Sequence, residues 1–475
     1  MLFIIVLNGI WVLAKGIHFV FLLEKKNYRL NRFQATIHDR GFFLLFYSLK
    51  IHFPSRSLRN ILLLAFHAIT TLTIFLYAFE NIYVYDFLSY FFWLAPFVSF
   101  AIVITGVQIT AVPATIYQWC IMQLAARQVK RSKATFIAVT GSYGKSEVVY
   151  FLKQLLSIRY HVGTTIENMN TEMGIARSIL NQLKKNTDFF IVEAATYRQG
   201  NIAHSTHYIP FKTAVVTGIG NQHRDLFASR ESLVAEECTI IERLKEDSTA
   251  YVNYDIPELT KISSKMSART IPYGTTGKAA IFSTDLEHKH TGITARVRYM
   301  KSFVTIRSRL LGRSTLYNLM PAIGIALDSG IPASEIAAKI VSLRAREGRL
   351  STHMNKKRAM IIQDRADVSV ESVLNACDIL RRFHQKKRIL VMQGLIELGV
   401  EKRDSYKRII DEIVSIHAQV FIVDPYAKEM SKKANVITFN DVSSLQKELL
   451  LSVDTSTVMI ILGIFPSSFI ESVLR

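Results

Sequence analysis

The run Phe136-Ile-Ala-Val-Thr140-Gly141-Ser142-Tyr143-Gly144-Lys145-Ser146 decides how most of this chain is read. Five residues of buried-strand character lead into a glycine-rich turn, a lysine and a hydroxyl, and a helix-forming stretch follows. That order cradles polyphosphate: glycines let backbone N–H groups approach anionic oxygens, and the helix N-terminus favours negative charge. Lys145 is placed to neutralise β- and γ-phosphates, and Ser146 to offer its hydroxyl to Mg2+. The expected nucleotide-binding residues are therefore Thr140, Gly141, Ser142, Tyr143, Gly144, Lys145, Ser146 and Glu147. Longer loops of this kind carry a further glycine where this chain has Val139, so this is the short form.

Downstream, short β-rich runs alternate with helix-like stretches, at residues 135–140, 189–195, 213–218, 388–393, 420–424 and 458–463. Such alternation predicts an α/β fold of parallel sheets with crossover helices. A β-rich interlude spans residues 279–311, and the basic stretch 344–357, with Gly348, is a candidate link between two α/β domains. Glu193 ends an apolar strand, where a carboxylate is well placed for Mg2+ beside a phosphate loop; a solvated strand end is the plainer alternative. His223 follows another strand tip. The cluster Asn168-Met-Asn170-Thr171-Glu-Met-Gly174 reads on its own as turn chemistry.

Upstream, the texture is that of a membrane region. Residues 61–79 and 87–110 are nearly unbroken apolar runs, and about 20 residues suffice to cross a bilayer. Residues 2–23 form a third candidate, weakened by Asn8, Lys15 and His18. That stretch has neither a basic start nor a small-residue cleavage site, so a cleaved signal peptide is not expected. Lys and Arg crowd residues 24–60 and the stretch after Arg127, while residues 80–86 have none. By the positive-inside rule the amino terminus lies outside and the α/β part faces the cytoplasm, in a multi-pass protein of the cell membrane. Residues 41–53, aromatic and amphipathic, are expected in the interface.

Composition agrees. The 475 residues are 49% hydrophobic and 20% charged, with a formal net charge of +20. No zinc spacing or nucleic-acid module accompanies the basicity, so an anionic membrane surface and anionic substrates are the expected partners, not nucleic acid. Cys120, Cys238 and Cys377 are too scattered for a disulfide or metal framework, which fits a reducing compartment.

Taken in order, these motifs resemble the Mur ligase family of peptidoglycan synthesis, nearest its D-alanyl-D-alanine-adding branch, over about residues 134–475. Thr140-Gly-Ser-Tyr-Gly-Lys-Ser146 matches its short phosphate loop. The resemblance assigns Asn168, Asn170 and Thr171 to substrate, and Ser146, Glu193 and His223 to magnesium. Gly312-Arg-Ser-Thr-Leu-Tyr-Asn318 resembles the motif near the nucleotide base. Gly348-Arg349 and Asp364 match catalytic positions at the last domain boundary and beyond it, and Glu397-Leu-Gly399 matches a branch signature.

The departures are specific. Glu237 aligns where the family often has a carbamylated lysine serving a second magnesium. Ser314 and Thr315 replace a His-Asn pair, Arg365-Ala-Asp-Val-Ser-Val370 has lost most of its motif, and Leu462 stands where Lys is usual. Apolar spans occupy the place of the uridine-nucleotide-binding domain.

The implied organisation is a membrane anchor over residues 1–133, a P-loop-type ATP-binding domain over 134–349 and a Rossmann-like domain over 350–475. The implied chemistry is amide-bond ligation through an acyl phosphate with ATP and Mg2+. A UDP-linked or lipid-linked muropeptide is the acceptor, D-alanyl-D-alanine the amine and membrane lipids the anchor's partners. Two other readings stay open: an ATP-binding membrane scaffold that no longer ligates, and a ligase acting on another polymer or a lipid-linked muropeptide.

Overall fold

The computed structural model describes residues 2–474 except 27, 29, 31–32, 34–45, 50, 81–84, 168, 197, 221–226, 228, 265, 276–278, 366–367, 384–386, 396–401, 425–426 and 428–434. Two compact units emerge, Met1–Ile121 and Met122–Arg475.

Three long helices dominate the described residues of the first unit, while residues 48–49 and 51–57 are neither helix nor strand. Helix α1 spans Leu2–Lys25, α2 Leu58–Glu80 and α3 Tyr85–Arg131. All three are long and apolar enough to cross a membrane by length and composition. The third differs from the expected run at 87–110. It continues through Pro96 and Pro113 to a last turn carrying Lys130 and Arg131, cations that suit a helix C-terminus. Rising polarity ends the apolar stretch near Thr110, but nothing there stops a helix. Of the segment expected in the interface, residues 41–45 and 50 lie outside the described residues. Phe46, in the same segment, is buried with Phe19, Leu63 and Val103.

In the second unit the chain runs from β1 (Thr135–Thr140) through α4 (Lys145–Leu156), β2 (Val162–Thr164), α5 (Glu172–Gln182), β3 (Phe189–Glu193) and α6 (Asn201–Thr206). It continues through β4 (Phe211–Val216), α7 (Arg230–Glu242), β5 (Thr249–Asn253), α8 (Pro257–Ser263) and β6 (Arg269–Gly274). A meander of β7 (Ile281–Lys289), β8 (Gly292–Tyr299) and β9 (Ser302–Ser308) precedes α9 (Arg313–Asp328) and α10 (Ala333–Ser342). These strands order as β2-β3-β1-β4-β5-β6-β7-β8-β9, parallel up to β7 and antiparallel after it.

A second sheet follows. Its elements are β10 (Ser351–Met354), β11 (Met360–Asp364), α11 (Val370–Arg381), β12 (Lys387–Gln393) and α12 (Lys402–Ser415). After them come β13 (Gln419–Val423), β14 (Val436–Phe439), α13 (Val442–Ser452), β15 (Thr457–Leu462) and α14 (Ser467–Leu474). The order is β10-β11-β15-β12-β13-β14, parallel except at β10.

β1 is central because both its faces are apolar: Phe136, Ile137, Ala138 and Val139 are all buried. Helix α4 lays Val148, Phe151, Leu152, Leu155 and Leu156 on the same core, against Leu316, Leu319 and Ile323 of α9. Burying each such side chain contributes about 1.5–3 kcal/mol. The result is a rigid strand end at Thr140 with a pinned helix start at Lys145, and the turn between them is the site.

Candidate active site

Backbone geometry makes the turn. Gly141 has φ +127° and Gly144 φ +84°, conformations that favour glycine. A Cβ on Gly141 would collide with the Thr217 hydroxyl, and one on Gly144 would lie 2.6 Å from Asn318 Oδ1. The exit of β4 holds the turn: Ser142 N–H donates to Gly218 O at 2.7 Å, and Thr217 Oγ1 donates to Tyr143 O at 2.5 Å. From α7, Glu237 Oε2 accepts the Gly141 N–H at 2.7 Å, and its backbone carbonyl accepts Thr140 Oγ1 at 2.9 Å. Glu237, read in the sequence as a second metal ligand, thus spends one carboxylate oxygen on the turn. Lys145 Nζ donates to Gly141 O, curled over its own loop. The Ser142 Oγ is buried without a hydrogen-bond partner. An orphaned hydroxyl and two left-handed glycines beside a lysine form a cradle that fits phosphate oxygens.

A carboxylate corner adjoins it. Glu193, 7% exposed at the end of β3, is anchored by its N–H donating to Thr165 Oγ1 at 3.0 Å. Its Oε1 accepts from Ser146 Oγ and from Asn170 Nδ2, both at 3.0 Å. A carboxylate and a hydroxyl are hard oxygen donors, and Mg2+ takes one or two carboxylates plus substrate phosphates. The residues present therefore fit that ion. Thr171 is the N-cap of α5, with no side-chain cap hydrogen bond. Asn168 and His223 lie outside the described residues, as do Glu397, Leu398 and Gly399.

The other flank joins both sheets. Asn318 Nδ2 donates to Glu147 Oε2 at 2.6 Å. Burial pushes the Glu147 carboxyl up and nearby Asp364 adds to this, while the Asn318 hydrogen bond, Arg349 and Arg346 pull it down. Arg349 Nη1 stands 3.8 Å from Asp364 Oδ1 at the tip of β11. Arg346 donates to Ser146 O at 3.4 Å and pairs with Glu167. Gly348, φ +70°, turns the chain here, and Arg365 N–H closes on its carbonyl at 2.6 Å. Tyr143, its hydroxyl pushed up to about 12 by burial and by Glu371 of α11, covers Gly218.

Some contacts had no sign in the sequence. Gly312 N–H donates to His288 Nε2 at 3.1 Å, so the ring carries its proton on Nδ1, which lies 3.1 Å from Asp378 Oδ2. Burial raises the Asp378 carboxyl, but the His288 hydrogen bond and the Arg382 guanidinium outweigh this and hold it at about 2. Thr315, in the first turn of α9, donates its hydroxyl to the carbonyl of Leu311, just ahead of the helix, at 2.7 Å. Thr165 and Arg346 were also missed. Only the basic character of residues 344–357 pointed towards Arg346.

Residues 139–326 match the model of the Mur ligase middle domain. The chain is 26% identical over 280 residues to UDP-N-acetylmuramoyl-tripeptide–D-alanyl-D-alanine ligase of Bacillus subtilis, covering 59% of this chain and 60% of that one. It is 23% identical over 307 residues to the Escherichia coli ligase of the same name, covering 62% and 68%. Among solved structures it is similar to MurF ligase from Thermotoga maritima in complex with ADP. There the TM-score is 0.67 at 25% identity, over 75% of this chain and 82% of that one. The chain spans about three fifths of the length of the first curated relatives it matches.

Proposed function

We propose that the chain is an ATP-dependent amide-bond ligase of peptidoglycan precursor synthesis, on the match of residues 139–326 to the Mur ligase middle domain. It joins D-alanyl-D-alanine to a UDP-muramoyl-tripeptide. The observation that carries this reading is the convergence of Ser146 and Asn170 on Glu193 beside the glycine turn. The proposed organisation is a membrane anchor (residues 1–133), an ATP-binding domain (134–349) and a C-terminal domain (350–475) on the cytoplasmic side.

In the first step the tripeptide carboxylate attacks the γ-phosphorus of ATP, the bond to ADP breaks and an acyl phosphate forms. In the second the dipeptide amine attacks the acyl carbon and gives up a proton, and inorganic phosphate leaves. Carboxylate and triphosphate repel each other, so the chain must supply positive charge and positioning. Lys145 swings from its own loop onto the phosphates. Ser146 and Glu193, with His223, would hold Mg2+, which would supply Lewis-acid neutralisation of the phosphoryl group. Asn170 fixes Glu193 from the substrate side. Arg349 and Asp364 hold the last domain over the loop, which keeps water from the acyl phosphate.

An oxygen-isotope experiment tests this. Tripeptide labelled with heavy oxygen in its reacting carboxylate passes one label to inorganic phosphate if the acyl phosphate forms. Unlabelled phosphate with amide product formed would refute the route.

A second reading has one observation in its favour. Three apolar helices stand where relatives carry another domain, which suits a lipid-linked acceptor delivered at the membrane. Label transfer only with a lipid-linked muropeptide would select it.

A further inference from the structure

The β7–β9 meander forms one edge of the first sheet, and its two faces differ. Alternate residues of β8 and β9, such as Val297 and Ile306, enter the core. The residues between them make an outer face, and all of these are exposed. There Arg298 stands opposite Phe282 of β7 and Phe303 of β9, and Arg296 opposite Thr284 and Thr305. Arg307, two residues past Thr305, is opposite Thr294. The Arg298 guanidinium lies 5.8 Å from the Phe282 ring centre and 5.7 Å from that of Phe303.

Between Ile281 and Arg309 the sequence holds six Lys or Arg and two acids. One acid, Glu287, pairs with Lys289 at 2.8 Å, and the other, Asp285, accepts the Thr284 hydroxyl at 3.3 Å. Among the described residues, Arg296, Arg298, Lys301 and Arg307 make no ion pair. Same-face neighbours stand about 7 Å apart along a strand, so like charges gather here, an arrangement that folding alone disfavours. The β8–β9 turn adds an apolar tip. Tyr299 pairs with Ser302, which leaves Met300-Lys301 as a two-residue turn. Met300 has φ +51°, a conformation that favours Gly or Asn in such a turn. A large apolar side chain stands there instead, 55% exposed, and Phe303 is 52% exposed. Exposed Met and Phe among unpaired cations match a surface with an apolar interior and anionic phosphates at its rim. A nucleic acid is the weaker match, since Met300 offers no ring for a base to stack on. Three helices of the same chain are long and apolar enough to cross a membrane, which would keep such a surface within reach.

We propose that the outer face of β8 and β9, with their turn, docks on an anionic lipid bilayer. Met300 and Phe303 enter the interface, and Arg296, Arg298, Lys301 and Arg307 lie over the lipid phosphates. Each such cation strengthens attachment about fivefold. Salt near 1 M, with a Debye length of about 3 Å, screens that attraction. The proposal rests on residues 1–133 holding the chain at a membrane and is independent of the ligase activity.

The test uses the full chain in nanodiscs, with a bimane fluorophore on Met300→Cys in a Cys120→Ser background; the other cysteines, Cys238 and Cys377, are buried. Brominated lipid chains should quench the label several-fold more in nanodiscs containing phosphatidylglycerol than in phosphatidylcholine alone. Arg296→Glu/Arg298→Glu should bring quenching down to the phosphatidylcholine level, and salt near 1 M should do the same. Equal quenching in the two kinds of nanodisc overturns the proposal, as does unchanged quenching in a double variant that unfolds at the wild-type temperature. If the double variant misfolds, Arg307→Glu on the neighbouring strand takes its place, and no fall in quenching there overturns the proposal. A fluorescent single-stranded oligonucleotide that binds the detergent-solubilised chain but not the charge-reversed variant would assign the face to nucleic acid and overturn it too. A chain that fails to enter nanodiscs would overturn the anchor and this proposal together, leaving the ligase reading intact.

Discussion

The Ser146 hydroxyl donates to Glu193 Oε1 at 3.0 Å, tying the first turn of α4 to the tip of β3 across the phosphate cradle. Glu193→Gln keeps an oxygen for Ser146 and Asn170 but removes the charge a magnesium ion needs. Turnover should drop on the order of 100-fold and need more magnesium, with thermal unfolding little changed. Phosphate release titrated against magnesium reads this. Wild-type turnover and magnesium dependence in the variant would remove Glu193 from the metal's ligands.

Gly144 and Gly200 share the left-handed region, at φ +84° and +80°, but differ in surroundings. A Cβ on Gly200 meets nothing within 4 Å, whereas one on Gly144 lies 2.6 Å from Asn318 Oδ1. Each alanine should cost about 1–2 kcal/mol in backbone strain. Gly144→Ala should cost more and weaken nucleotide binding as well, by displacing Asn318 from Glu147. Denaturant unfolding and nucleotide titration of both variants separate strain from contact. Equal behaviour would mean that the Asn318 contact carries nothing.

Glu147 sets a pH dependence. Burial pushes its carboxyl up, so folding disfavours the ionised form, and stability falls as pH rises from the ordinary glutamate range through the raised value. Glu147→Gln imitates the protonated acid and still accepts from Asn318. It should unfold at a higher temperature than wild type near pH 8, with the gap closing as pH falls toward about 4.3. A variant less stable than wild type at pH 8 would show that pairing with Arg349 and Arg346 outweighs burial.

Asp378 has the opposite sign. Held at about 2 instead of 3.8, it contributes stability above its unfolded value, which is lost as pH falls through about 2. After discounting for its partial exposure, Asp378→Asn should destabilise the protein at pH 7 by about 1 kcal/mol. The difference should narrow between pH 4 and 2, read by urea unfolding. A pH-independent difference would assign the loss to packing.

Local patterns made the fold largely legible. The expected strand at 135–140 coincides with β1, and those at 388–393, 420–424 and 458–463 lie within a residue of β12, β13 and β15. Each is a run of apolar residues bounded by turn formers. β2 escaped notice because it is three residues long with a glycine at its centre, and β11 because Gln363 and Asp364 dilute a short apolar core. In the candidate site, Ser146 and Glu193 were legible because one closes a glycine-rich turn and the other ends a strand, whereas Asn170 read alone as turn chemistry and took its role from the family resemblance. The Glu237 bond to Gly141 was not, since it depends on α7 crossing beneath β1 from almost a hundred residues away. His288 and Asp378 belong to different sheets' surroundings, and only the meeting of β7 with α11 pairs them.

The most direct measurement is amide-product formation with phosphate release by the full chain in nanodiscs. It is supplied with ATP, magnesium, UDP-muramoyl-tripeptide and D-alanyl-D-alanine, and compared with Lys145→Ala. Phosphate release that requires both peptides, matches pentapeptide product one to one and falls at least 100-fold in the variant is the expected result. No release above that of Lys145→Ala, with either the UDP-linked or a lipid-linked acceptor, would contradict a ligase.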